Sequence, residues 1–493
     1  MQAWLSSRWA PLIALVAGLL APLAFAPFDL WPLAVVSPAI LFAVAQVSSR
    51  RRALLAGYLY GLGYFGFGCY WVYNSIAYYG GGPLAAIFVT PLFALAIALY
   101  PMLVVYLARR LRPASRGAAL WLVFPAVWLL VEWLRSWFLT GATWLMLGFT
   151  QTGSPLGSIA PVFGAFGISL VVVVLAGALA HALLRPRAAA GFLVATVVAL
   201  GGGYLVPGGW TQPAGEAKTT ALLQGNVPQD KKWLLSYRDR TLGWYSERSR
   251  EHAGVDLIVW PETAVPTWYF RVREDWMQPL SRELAEQGTA LVVGAPVIDI
   301  DREAAYNGIV VVGPPERVYH KRHLVPFGEY LPLRGLLGNA LDFLGTPMDD
   351  FDAGVSGAAI PVNGYDIGAS ICYEVTFGDE IAAALPEAEV LVNVSNDGWF
   401  GDSFAPHQHL QMAQMRAMET GRYMLRATNT GVTVIIDHRG RITGRTAQFE
   451  EAVLAGEFVP RTGVTPYVRW LHWPAVGVAV VLLLVGFAFR WGR

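Results

Sequence analysis

Several apolar runs in this chain stop on residues that can carry acyl chemistry. Leu257-Ile258-Val259-Trp260 runs into Pro261 and Glu262, Ile371 leads into Cys372, Tyr373 and Glu374, and Val390-Leu391-Val392 leads into Asn393-Val394-Ser395-Asn396-Asp397. A further candidate, Lys321, lies in Tyr319-His320-Lys321-Arg322-His323, shortly after the apolar run at 308–312. Acyl transfer needs a nucleophile, a base that takes its proton, and positive charge where the oxyanion develops. Cys372, Glu262 and Lys321 supply one of each. An ammonium nearby favours the thiolate, and burial or a second carboxylate, Glu329 or Glu374, would raise Glu262 into the range of a working base. Taken singly, each residue also has an ordinary reading: a core thiol, a solvated carboxylate, a basic surface patch.

The elements that must position these groups read as strands and amphipathic helices in alternation. Strand candidates are 219–224, 255–260, 290–294, 308–312, 366–371, 389–394, 432–437 and 452–458, and helix candidates are 236–253, 277–287 and 407–426. Such mixing predicts an α/β layered domain over 210–468. The runs at 257–260 and 390–392 are apolar without alternation, as expected of strands covered on both faces. In α/β folds the carboxyl ends of strands are where ligands commonly sit, and the polar signatures fall there.

Composition sets that domain apart from the rest. The chain is 55% hydrophobic and 14% charged, against about a quarter charged in an ordinary soluble protein. Residues 1–206 hold only two acidic groups, Asp29 and Glu132. A membrane crossing needs about 20 mostly apolar residues. Eight crossings are expected, near 9–27, 30–47, 53–77, 84–108, 118–138, 160–184, 189–206 and 472–490, giving membrane segments over 1–206 and 472–490 around the 210–468 domain. Arginines follow every second crossing: Arg50 to Arg52, Arg109 to Arg116, Arg185 and Arg187, then Arg490 and Arg493. Lys and Arg mark the cytoplasmic side, so both termini are expected inside and the 210–468 domain outside. Glu132 and Arg135, three apart in an apolar segment, read either as an ion pair on one helix face or as a site where Arg135 meets a lipid phosphate. The net charge of +1 gives no support to nucleic-acid binding.

The motifs together are more specific than their parts. Pro261-Glu262, Lys321 and Cys372-Tyr373-Glu374 resemble the Glu-Lys-Cys set of the nitrilase superfamily. Lys321 through Tyr330, Ser395 through Asp402, Gln224-Gly225-Asn226-Val227-Pro228-Gln229 with Trp233, and His409-Leu410-Gln411-Met412-Ala413 resemble the apolipoprotein N-acyltransferase family. So do Trp71-Val72-Tyr73 and Glu132-Trp133-Leu134-Arg135 in the apolar half. The resemblance implies a nitrilase-like αββα sandwich outside the inner membrane of a bacterium. It implies a phospholipid as acyl donor, the diacylglyceryl-cysteine of an apolipoprotein as acceptor, and a thioester on Cys372 between the two half-reactions. Glu262 would then be the base and Lys321 the oxyanion partner, with Glu329, Glu374 and Tyr373 in support. Trp233, Tyr73, Arg135 and Val325 would lie near the lipids. No cofactor is implied.

Other readings stay open on the sequence alone. A membrane-tethered amidase would share Glu262, Lys321 and Cys372, although it would have no use for eight crossings. A transporter or receptor would need polar pairs along several helices. Residues 333–347, apolar for a loop, read either as an arm dipping into the membrane or as a packed helical turn. No metal site is suggested: His407 and His409 are two apart on an expected helix and would not share a face, and His320 and His323 lack a further ligand set.

Overall fold

The computed structural model describes residues 2–79, 81–330 and 351–489. The apolar segment at 333–347 lies outside them. The chain divides into two compact units, one of Met1–Tyr73, Ala86–Gly208 and Arg469–Arg493, the other of Asn74–Ala85 and Gly209–Val468.

The first unit is helical. Gly82–Leu111, Arg116–Thr140, Pro155–Leu184 and Pro186–Tyr204 are long and apolar enough to cross a membrane, and Ala10–Ala24, Leu33–Val47 and Trp473–Ala488 are shorter apolar helices. The segment expected at 53–77 is two helices, Arg50–Gly68 and Val72–Tyr79, the latter counted with the second unit from Asn74 on. Close helix packing here rests on small residues: a Cβ on Gly18 would meet the Tyr60 carbonyl oxygen at 2.2 Å. Glu132 and Arg135 are both buried, and both bind the backbone of the following turn. Glu132 Oε1 accepts from the Leu147 N–H at 3.0 Å. Arg135 Nη1 donates to the carbonyls of Ala142 and Trp144, each at 2.6 Å, and its guanidinium lies 5.2 Å from the Phe65 ring centroid. These contacts satisfy the buried cation from within the unit.

The second unit contains a two-stranded sheet, β1 (Thr211–Pro213) with β14 (Arg461–Gly463), and two six-stranded sheets. The first runs β13 (Ala452–Phe458), β2 (Lys218–Gln224), β3 (Leu257–Val259), β4 (Ala290–Asp299), β5 (Ala304–Val312) and β6 (Arg317–His320). The second runs β12 (Ile442–Arg445), β11 (Val434–Ile436), β10 (Met424–Thr428), β9 (Val390–Ser395), β8 (Tyr365–Ile371) and β7 (Ile360–Val362). The centres are parallel, β2-β3-β4 and β8-β9-β10, and the edges antiparallel. Strand alternation sorts side chains between layers. Leu257, Val259 and Val292 share one core with Ile367, Ile371, Val390 and Val392 of the opposite sheet. Ile258, Leu291 and Val293 point the other way, onto Leu242 and Leu280 of the Leu235–Glu251 and Gln278–Ala285 helices. Leu391 and Val434 likewise pack on Leu410 and Ala413 of the Ala405–Thr420 helix. The layering is therefore helix, sheet, sheet, helix.

Several expected boundaries move. The helix expected at 407–426 stops at Thr420, because Gly421 takes a left-handed conformation (φ 63°), the usual way to end a helix. Residues 424–428 are instead β10 in the middle of a sheet. The strand expected at 290–294 continues to Asp299, paired along its length with β5.

Candidate active site

Glu262, Lys321 and Cys372 come from three strand ends of the second unit: β3, β6 and β8. All three are buried. Glu262 follows β3 through Trp260 and Pro261, and the next residue, Thr263, has φ 46°. A Cβ on Gly294 of β4 would meet the Pro261 carbonyl oxygen at 2.3 Å, so the turn carrying Glu262 depends on glycine there. The carboxylate is fixed at both oxygens. Asn307 Nδ2 donates to Oε1 at 2.8 Å, and the Asn396 backbone N–H donates to Oε2 at 2.8 Å.

Lys321 is held by a second carboxylate. Its ammonium lies 2.8 Å from both oxygens of Glu329 and 3.6 Å from Glu262 Oε1. Burial pushes this lysine down, but the carboxylates of Glu329 and Glu262 outweigh it, and the ammonium is held well above its ordinary range. Glu329 Oε2 also accepts the Val325 N–H at 2.8 Å, and Asn307 Nδ2 donates to Oε1 at 2.9 Å. One amide thus spans two carboxylates and a lysine bridges them, which satisfies charges that could not otherwise be buried.

Cys372 sits at a strand-to-helix corner between β8 and the short helical turn Cys372–Thr376, with φ 50°. Left-handed backbone at a non-glycine residue is strained and clusters at working sites. Its thiol is pushed up to about 12, first by burial and then by the negative charge of Glu262, which the Lys321 ammonium offsets only in part. The resting group is therefore a neutral thiol.

Glu374 ties the lysine loop to the cysteine corner. Its Oε1 accepts from the Tyr319 hydroxyl (2.9 Å) and the Arg322 N–H (2.6 Å), and its Oε2 from the Ile371 N–H (2.6 Å). Burial still raises it to about 6. Tyr373 is half-buried, with its ring centroid 5.6 Å from that of His323 and 5.1 Å from that of Phe377. Trp233 is half-buried beside Lys232. Tyr73, half-buried on Val72–Tyr79, and Arg135 belong to the helical unit described above.

Sequence reasoning passed over Lys232 and Asn307. Lys232 is buried, its ammonium donates to the Glu262 carbonyl oxygen at 3.1 Å, and burial lowers it to about 8. Asn307 interrupts the apolar run of β5, and that interruption was the available signal.

Residues 17–178 match the family described as Apolipoprotein N-acyltransferase N-terminal domain, and residues 219–467 match Carbon-nitrogen hydrolase. The chain is 47% identical to an apolipoprotein N-acyltransferase of Methylococcus capsulatus, over 98% of this chain and 96% of that one. It is 44% identical to one of Pseudomonas putida, over 98% and 97%. The chain belongs to the apolipoprotein N-acyltransferase family. A nitrilase-superfamily protein of Saccharomyces cerevisiae is similar in structure, with a TM-score of 0.38 and 18% identity over 50% of this chain and 91% of that one. The nitrilase-like fold expected from the motifs thus agrees with the carbon–nitrogen hydrolase match, and family membership with an acyltransferase.

Proposed function

We propose that this protein N-acylates apolipoproteins, moving an acyl chain from a phospholipid to the α-amine of an N-terminal diacylglyceryl-cysteine through a thioester on Cys372. The observation that carries the reading is a buried carboxylate and a buried ammonium, Glu262 and Lys321, 3.6 Å apart beside the buried Cys372, in a chain of this family. In the first half-reaction Glu262 takes the thiol proton as sulfur attacks the ester carbonyl. A neutral resting thiol needs such a base. Lys321 and backbone N–H groups beside Cys372 stabilise the oxyanion. The carbon–oxygen bond breaks, and the lysophospholipid leaves with the proton returned from Glu262. In the second half-reaction the acceptor amine attacks the thioester, Glu262 takes the amine proton, and the carbon–sulfur bond breaks to give an amide and a thiol. Two half-reactions on one sulfur give ping-pong kinetics.

Lipid-anchored substrates account for the helical unit. The alternating arginines support eight crossings in a bacterial inner membrane, with domains at 1–206, 210–468 and 472–490, both termini cytoplasmic and the catalytic domain periplasmic. Trp233, Tyr73, Arg135 and Val325 are candidates for lipid contact, and Glu329, Glu374 and Tyr373 for support of the site. The test is to weigh the purified protein after incubation with phospholipid alone. The reading expects one acyl chain on Cys372 that persists until an amine acceptor arrives, and no adduct on Cys372→Ser. Steady hydrolysis without an acceptor would favour an amidase-type hydrolase instead.

A further inference from the structure

Behind the cysteine corner lies a buried polar chain with no part in the chemistry above. His409, on the Ala405–Thr420 helix, places Nε2 3.0 Å from the Cys372 carbonyl oxygen and Nδ1 3.1 Å from Asp397 Oδ1. Arg426 of β10 sends Nη2 to both Asp397 oxygens at 3.1 Å and to His409 Nδ1 at 2.9 Å, while its Nη1 binds Asn393. Ser395, the last residue of β9, donates its hydroxyl to Asp397 Oδ1 at 2.9 Å and is close enough to Cys372 to favour its thiolate. His409, Asp397, Arg426 and Ser395 are all buried.

We propose that Asp397 is a positioning residue for Cys372, acting at two points: through Ser395 beside its thiol, and through Arg426, which holds the His409 ring, on its carbonyl. This rests on the reading of Cys372 as nucleophile. The φ of 50° at Cys372 needs an external hold, because a non-glycine residue leaves that conformation readily. A hydrogen bond onto its own carbonyl supplies one. Burial and the Arg426 cation keep the His409 ring neutral, so its one proton belongs on Nε2, donated to Cys372, while Nδ1 accepts from Arg426. The Ser395 hydroxyl has one hydrogen. With a neutral thiol it donates to Asp397. When the thiol loses its proton to the base, the hydroxyl turns and donates to the thiolate. Asp397 retains Arg426 throughout, so the turn leaves no buried charge unpaired.

The test uses the full chain in detergent, with iodoacetamide labelling of Cys372 against pH and the mass of the acyl adduct formed from phospholipid. Ser395→Ala is expected to move the labelling midpoint upward and to slow adduct formation roughly tenfold, the scale of one lost hydrogen bond to a charged group. His409→Ala is expected to slow adduct formation by a similar factor. His409→Gln, which keeps an N–H for the carbonyl and an oxygen for Arg426, is expected to restore most of the rate. Rescue by glutamine is not expected of a side chain that only fills space. Should His409→Ala fail to fold, Ser395→Thr against Ser395→Ala decides, since threonine keeps the hydroxyl. Unchanged labelling in Ser395→Ala, or His409→Gln no faster than His409→Ala, would overturn the proposal. A wild-type chain that labels normally but forms no adduct would instead overturn the thioester reading, and the labelling profiles would still decide the role of Asp397.

Discussion

Lys321 grips Glu329 through both carboxylate oxygens, at 2.8 Å each. Its distance to Glu262 is 3.6 Å, so in the resting site Glu329 takes most of the lysine's charge and Glu262 is left to Asn307 and the Asn396 N–H. Glu329→Gln is expected to let the ammonium close on Glu262 and hold that carboxylate as an ion-pair partner, unable to take a proton. Formation of the acyl adduct should fall roughly 10–100-fold, the scale of a charge-assisted hydrogen bond. Single-turnover mass measurements would show this, and an unchanged rate would detach Glu329 from the site's function.

The raised thiol leads to an expectation that runs against intuition. Glu262 is among the causes that hold Cys372 up. Glu262→Gln should therefore abolish transfer and yet make Cys372 alkylate at lower pH, because the charge opposing the thiolate is gone. Lys321→Met should move the labelling midpoint the other way. Labelling profiles with iodoacetamide, read at the Cys372 peptide to separate it from Cys69, the other cysteine of the chain, report both shifts.

Asn307 spans Glu262 and Glu329 with one amide nitrogen. Asn307→Ala removes a donor from one buried and one half-buried acceptor and is expected to cost about 1–3 kcal/mol of stability. Asn307→Asp should be worse, since it adds a third carboxylate where Lys321 is the neighbouring cation. Chemical denaturation of the two variants would rank them.

Gly294 offers a test of geometry with no polar atom removed. A Cβ at this position meets the Pro261 carbonyl oxygen at 2.3 Å and the Glu262 Cα at 2.7 Å. Gly294→Ala should displace the Glu262 turn and cut adduct formation, while labelling of Cys372 stays possible. A displacement of about 1 Å at a catalytic group can cost on the order of a hundredfold. An active Gly294→Ala enzyme would mean that the turn tolerates the shift.

Lys232 gives a stability signature in pH. Burial depresses its ammonium from the ordinary 10.5 to about 8. Below about 8 the folded state carries the full cost of the buried charge. That cost is relieved as pH rises from about 8 towards 10.5, where the unfolded chain still holds the proton. Lys232→Met is therefore expected to be more stable than the parent at pH 7, with the advantage shrinking above pH 8, at about 1.4 kcal/mol per unit of pKa depression. Paired thermal melts at pH 7 and 9 would reveal the convergence, and a gap that stays constant would remove the buried-charge explanation.

The parts of the fold legible in the sequence were those with a local signal. Apolar runs such as Leu257-Ile258-Val259 and Val390-Leu391-Val392 mark β3 and β9, because strands covered on both faces must be apolar throughout. β10 was hidden by Arg426, whose charge broke its apolar run and let the preceding helical periodicity extend over it. The reason for a charge in that strand is Asp397, far off in sequence terms and invisible to any local window. The same holds at the site. Glu262, Lys321 and Cys372 stood at strand ends and could be picked out. Lys232, on a turn beside Trp233, acquires its meaning only from the Glu262 carbonyl that folding brings to it.

Glu262 and Cys372 grow from different sheets, and the same inter-sheet core holds Val259, three residues before the base, and Ile371, one before the nucleophile. The gap between acid–base group and sulfur is thus a mechanical property, set by how thickly aliphatic side chains fill the space between two plates. A methyl group gained or lost among them, such as Val259→Ile, would retune catalytic rate without altering a single charge or hydrogen-bonding group, giving drift in this core a direct route to changes in turnover.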